Sequence, residues 1–119
     1  MSMSPPSNHV RRNNRAAEFI AHEAATFIKE IAGSESLITV TRALASSRGE
    51  RMTVFVSVFP EEREMSALAL LARKREAFSE HLKAHVRIRP LPRVAFEIDH
   101  GEKHRRRLDE LSRASIVLR

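Results

Sequence analysis

The chain has no cysteine, no tryptophan and no tyrosine. Without cysteine, disulfides, thiolate metal ligands and cysteine nucleophiles are excluded together, which fits a reducing compartment. Aromatic residues make up 5% of the chain against 42% hydrophobic residues overall. The core must therefore be aliphatic, built from Leu, Ile, Val and Ala with six Phe. Glycine is equally scarce. Gly33, Gly49 and Gly101 stand apart, so no glycine-rich loop that could cradle a phosphate is present. No apolar run is long enough for a secretory h-region or a membrane span, and a cytoplasmic protein without a membrane partner is expected. Neither Ser47 nor Ser57 has a His and an acid in a recognisable nucleophile setting, so no catalytic residue, cofactor or small-molecule substrate is expected. The length of 119 residues leaves room for one modest core and no second, catalytic domain.

What the chain has in excess is positive charge, +6 overall, and it is clustered. Residues 1–15 carry three Arg and no acid, residues 73–93 seven bases against two acids, and residues 102–119 six bases against three acids. Clustering of this kind points to a polyanion, because Lys and Arg that neutralise phosphates release condensed counterions.

Patterning gives the elements. Residues 1–14, with Pro5, Pro6, Asn13 and Asn14, read as a disordered basic lead-in, and Asn14 as an N-cap. A helix follows over 16–31, with Phe19, Ile20, Ala24, Phe27, Ile28 and Ile31 forming one stripe and Gly33 as its terminating glycine. Two β-branched runs, around 37–44 and over 52–59, pair as a hairpin through 46–50, with the second as the inner strand. Pro60 with Glu61, Glu62 and Glu64 starts a helix whose apolar face carries Met65, Leu68, Leu71 and Ala72. The tract Arg73-Lys74-Arg75-Glu76 then interrupts the stripe, and a kink or tight turn is expected there before Phe78 and Leu82 resume it. Val94, Phe96 and Ile98 alternate with Arg93, Ala95 and Glu97 as a third strand. Asp99 and Glu102 resemble a capping box that opens a last, basic helix. The fold class is α+β, in the order α-β-β-α-α-β-α, with helices covering one face of a three-stranded sheet.

That order matches a KH-like type II domain. Four segments resemble, in sequence and spacing, the ribosome-binding factor A family: Arg15–Ile31 (RAAEFIAHEAATFIKEI), Leu37–Thr41 (LITVT), Met52–Phe59 (MTVFVSVF) and Pro90–Leu111 (PLPRVAFEIDHGEKHRRRLDEL). The resemblance implies a KH-like RNA-binding domain over 15–111 and a C-terminal tail over 112–119. It further implies a non-enzymatic factor, monomeric when free, that binds the small ribosomal subunit and 16S rRNA near its 5′ end during late maturation, above all in the cold. The chain lacks the Gly-x-x-Gly loop of ordinary KH domains. It also has Lys74-Arg75-Glu76 where the family has an interhelical Ala-x-Gly kink.

The RNA-binding candidates are Arg73, Lys74 and Arg75 at the turn, Lys83, Arg87, Arg89 and Arg93 on the approach to the third strand, and Arg11, Arg12 and Arg15 as a basic arm. Lys103, Arg105, Arg106 and Arg107 form a further cluster, read either as a second basic segment for RNA or as cations that a helix simply tolerates near its C-terminus. Phe19, Phe27, Phe55, Phe59, Phe78 and Phe96 are the only stacking platforms, and most fall on apolar stripes, so backbone and shape contacts are expected to dominate. The pairs His81/His85 and His100/His104 have the i,i+4 spacing of two metal ligands, but no third ligand is evident and they read as surface histidines, with no metal site. A helix-turn-helix DNA-binding regulator over 61–85 and a small metal-dependent hydrolase using the His pairs are the alternatives. The first is disfavoured because EAFSEHLKAH after the turn offers few base-reading side chains.

Overall fold

The hydrophobic periodicities become four helices and three strands in the order expected. A computed structural model describes residues 8–33 and 36–117, with side chains for 11–33 and 36–111. The elements are α1 (Asn8–Ile31), β1 (Leu37–Ala45), β2 (Arg51–Phe59), α2 (Glu64–Arg73) after a 3-10 turn at Glu61–Arg63, α3 (Arg75–His85), β3 (Arg93–Ile98) and α4 (His100–Val117).

β2 is central, antiparallel to β1 and parallel to β3. Register follows the apolar alternation. Val40, Val56 and Ile98 share one row, and Ala43, Val54 and Phe96 the next, so the apolar side chains of all three strands point to one face. Against that face lie Ile20, Ala24 and Ile28 of α1, Ala67 and Leu71 of α2, and Phe78 and Leu82 of α3. Val54, Val56, Ile20 and Phe78 are completely buried, and each burial of this kind contributes about 1.5–3 kcal/mol relative to exposure. The opposite face of β2, with Thr53, Phe55 and Ser57, is only half-buried.

Four expectations need correction. The first helix starts at Asn8, so residues 8–14, expected to be disordered, are helical and Asn14 lies inside the helix rather than capping it. The reason is tertiary. The Asn13 amide donates to the carbonyls of Ser46 (3.4 Å) and Ser47 (3.2 Å), tying the first turns to the β1–β2 loop. That loop turns at Gly49, whose φ of +73° suits glycine and where a Cβ would lie 2.8 Å from Asn13 Oδ1. Residues 1–7 lie outside the described residues. Second, α1 ends at Ile31 without the left-handed glycine expected at Gly33, since among the described residues only Gly49 has a positive φ. Third, Met65 and Ala72 are exposed, and Ala67 lies in the core beside Leu71. Fourth, the segment 112–117, expected as a separate tail, continues α4.

Asp99 joins β1, β3 and α4. Its Oδ1 accepts from the Glu102 N–H at 3.0 Å, which is the cap expected from the sequence. Only half of the reciprocal box forms, because the Asp99 N–H is taken by the Val56 carbonyl and the Glu102 carboxylate pairs with Arg105. Oδ2 accepts from the Thr41 hydroxyl at 2.5 Å, where a bulge between Val40 and Arg42 turns Thr41 out of register. The Arg42 Nε lies 3.4 Å from the same oxygen. The Thr41 hydrogen bond above all, aided by the Glu102 N–H and Arg42, holds the Asp99 carboxyl below its usual range against the opposing effect of burial. A lowered folded-state pKa adds stability that is present above the unfolded value and is lost as pH falls through the folded one. Asp99→Ala is therefore expected to cost about 2 kcal/mol at neutral pH, from the removal of the cap and of the Thr41–carboxylate hydrogen bond, the Thr41 hydroxyl keeping only the Phe55 carbonyl at 3.3 Å. The gap to wild type should narrow in acid. Urea unfolding of both proteins across the carboxylate range checks this, and a pH-independent gap would refute it.

Candidate nucleic-acid interface

The turn expected at 73–76 is a one-residue break. Lys74, at φ −94° and ψ 6°, ends α2 and begins α3, and its N–H still reaches the Leu70 carbonyl at 3.0 Å. Phe78 enters the core one turn later, which fixes the angle of α3 and leaves Arg73, Lys74, Arg75 and Glu76 all exposed. Among the described residues, Arg73, Lys74 and Arg75 make no ion pair.

The other expected cations sort into two cavities that meet at the 86–92 connector. Between α3 and the start of β3, Arg75, Ser79 and Lys83 face Leu91 and Arg93 across a cleft of about 520 Å³. Lys83 is shared with Glu80 in an exposed pair at 3.0 Å, an interaction of about 0.5 kcal/mol. On the other side of the connector, Arg11, Arg12 and Arg15 of α1 meet Arg87 and Arg89 around a cavity of about 510 Å³, with no acid among its lining residues. Arg89 also has a structural part. Its two Nη groups donate to the carbonyls of Lys83, Val86 and Ile88, closing the exposed C-terminus of α3.

Sequence reasoning missed Phe19. It is not on the core stripe but 59% exposed, and it lines the arginine cavity together with Ile88. The signal was present in the helical spacing, since Arg11, Arg15 and Phe19, or Arg12, Arg15 and Phe19, lie along one face of α1.

The C-terminal cluster is partly neutralised. Lys103 Nζ lies 3.1 Å from Glu64 Oε1 and 3.5 Å from Glu61 Oε1, and Arg107 bonds Glu61 at 3.1 Å. These pairs tether α4 to the start of α2, and with Arg105 paired to Glu102 at 2.7 Å three of the four cations are occupied. Arg113 and Arg119 lie outside the described side chains.

The histidines separate. His100 and His104 are exposed, as expected. His81 is not a surface histidine: it packs between Phe27 and Phe78, and its Nε2 donates to Glu23 Oε2 at 2.8 Å. His85 stacks on it with ring centroids 4.1 Å apart and donates Nδ1–H to the His81 carbonyl. Glu23, His81 and His85 thus bring their ligating atoms within 4.8 Å of one another. Glu23 is the third group that the sequence could not place, and here it clamps α1 to α3.

No described helix is long and apolar enough to cross a membrane. No curated protein matches the chain. Several solved structures do match. The crystal structure of ribosome-binding factor A from Thermus thermophilus aligns with a TM-score of 0.65 and 28% identity, over 72% of this chain and 93% of that one. A homology model of the T. thermophilus factor, fitted into a cryo-EM map of a 30S–RbfA complex, aligns with a TM-score of 0.58 and 28% identity, over 81% and 97%. The solution NMR structure of a Thermotoga maritima protein shares the fold, with a TM-score of 0.53 and 18% identity over 81% and 91%. The family model of ribosome-binding factor A matches residues 12–112, which reach from within α1 to within α4, and the chain belongs to that family.

Proposed function

We propose that this protein is a non-enzymatic maturation factor that binds the small (30S) ribosomal subunit and contacts 16S rRNA near its 5′ end. The observation that carries the reading is the convergence of Arg11, Arg12 and Arg15 with Arg87 and Arg89 around one acid-free cavity. Five like charges drawn from segments more than seventy positions apart in sequence repel one another, and a phosphate backbone relieves that repulsion while releasing counterions. The T. thermophilus relative fitted into a 30S complex supports the choice of partner. The footprint runs from the Lys74 corner along the α3–β3 cleft to the arginine cavity, and binding takes place in the cytoplasm, where subunits mature.

The protein is expected to co-sediment with small subunits, more strongly with those retaining unprocessed 16S 5′ ends, and to be released as salt rises. Equal sedimentation with large subunits, or equal affinity for duplex DNA, would overturn the reading.

A further inference from the structure

We propose that the arginine cavity is a subsite for one unpaired nucleotide of single-stranded RNA, with its base stacked on Phe19 and its flanking phosphates held by Arg11, Arg12, Arg15 and Arg87. The inference rests on the RNA-binding reading above and names the form of RNA that this part of the surface takes.

Phe19 is a large aromatic left 59% exposed, while Phe27 and Phe78, also on helices, are buried. It stands at the edge of a concavity of about 510 Å³, within the usual range for ligand pockets. A phenyl face offers every base a sequence-tolerant stacking surface. The Arg87 guanidinium, which reaches the cavity from the connector, can pack on the base's other face or pair with phosphate. Among the described residues, the side chains of Arg11, Arg12, Arg15 and Arg87 make no ion pair or hydrogen bond, so their donors are available. Arg89 is not. Its hydrogen bonds to three backbone carbonyls, at 2.7, 3.1 and 3.2 Å, make it a rigid wall that holds Ile88 and Arg87 in position. In an RNA duplex the bases are already stacked and paired, so they cannot reach Phe19. The subsite therefore discriminates in favour of unpaired RNA, which a merely basic surface does not.

The absence of tryptophan from the chain gives a direct test. In the full-length protein, Phe19→Trp introduces a single indole whose fluorescence a stacked base quenches. The probes are a short oligoadenylate, an RNA duplex with the same number of phosphates, and polyglutamate as a base-free polyanion. Phe19→Ala is expected to lower oligoadenylate affinity by between about five- and one hundred-fold, with the salt slope and duplex affinity unchanged. F19W is expected to retain binding and to be quenched by oligoadenylate but not by the duplex. An F19A variant that binds oligoadenylate like wild type, or loses duplex and single strand alike, would overturn the subsite. So would an unquenched F19W, or displacement of oligoadenylate by polyglutamate as effective as by RNA, which would mark the cavity as a site for acidic protein segments. Should F19A lower the thermal midpoint, the F19W quenching decides alone. A wild-type protein that binds neither small subunits nor RNA removes the proposed function and the subsite together, whereas failure of F19A or F19W alone with subunit binding intact removes only the subsite.

Discussion

The triple change R73E/K74E/R75E is expected to leave the protein folded while cutting its affinity for rRNA by orders of magnitude. All three side chains are exposed at the α2–α3 corner, and among the described residues none makes an ion pair. Exposed charges of this kind contribute on the order of 1 kcal/mol or less to stability, so the thermal midpoint should move little. Binding should respond differently. Every phosphate that is no longer neutralised reduces the magnitude of the log K versus log salt slope by roughly 0.7 to 0.9, so three of them correspond to about 2 to 2.7. Replacement by Glu adds repulsion to that reduction. The measurements are a salt series of rRNA affinity, co-sedimentation with small subunits, and the thermal midpoint. An unchanged slope in a folded variant would remove the corner from the footprint and confine it to the arginine cavity and the α3–β3 cleft. A collapsed midpoint would make the tract structural.

Phe78→Ala is expected to have the opposite profile, with a large loss of stability and no specific change in salt dependence. Phe78 is fully buried, with its ring centroid 5.2 Å from Phe27, 5.7 Å from Phe96 and 6.1 Å from His81. It is thus the residue through which α3 packs on both α1 and β3. Truncation removes transfer energy and leaves a cavity, costing about 3–5 kcal/mol. A domain of this size has a total of about 5–15 kcal/mol, and the midpoint should fall by at least about 10 °C. The cavity also takes away the packing under His81, so the Glu23–His81 clamp between α1 and α3 should loosen. Calorimetry and urea titration provide the check. A change below about 1 kcal/mol would mean that the corner is held by something other than this ring.

The two phenylalanines Phe19 and Phe78 show where local pattern stops being informative. Both sit among apolar neighbours in segments of helical period, and that period groups Phe19 with the core stripe of α1. In the structure Ile20, its immediate neighbour, is fully buried and Phe19 is exposed, because a helix turns 100° per residue and only one face of α1 meets the sheet. The same limit explains the N-terminus. Pro and Asn made 1–14 look disordered, but the Asn13 amide finds carbonyl partners in the β1–β2 loop more than thirty positions away, and helix 8–14 follows from that contact.

What the sequence determined by itself is local in origin. Period-2 and period-3.6 apolar patterns, Pro60, Pro90 and the glycine-containing 46–50 loop set the element order, because backbone sterics and side-chain alternation act over a few residues. The charged tract at 73–76 marked the helix break for the same reason, since charge could not continue into the core, and the Asp99 cap was visible three residues from its partner. The clustering of basic residues along the chain was also legible, and with it the expectation of a polyanionic partner. Tertiary structure alone decided the parallel pairing of β2 with β3, the meeting of Arg11, Arg12 and Arg15 with Arg87 and Arg89, and the pairing of Glu23 with His81. It likewise decided which C-terminal cations are neutralised by Glu61 and Glu64. These are contacts between residues distant in sequence, and they arise only when burial of the common apolar face of the sheet brings α1, α3 and the connector together.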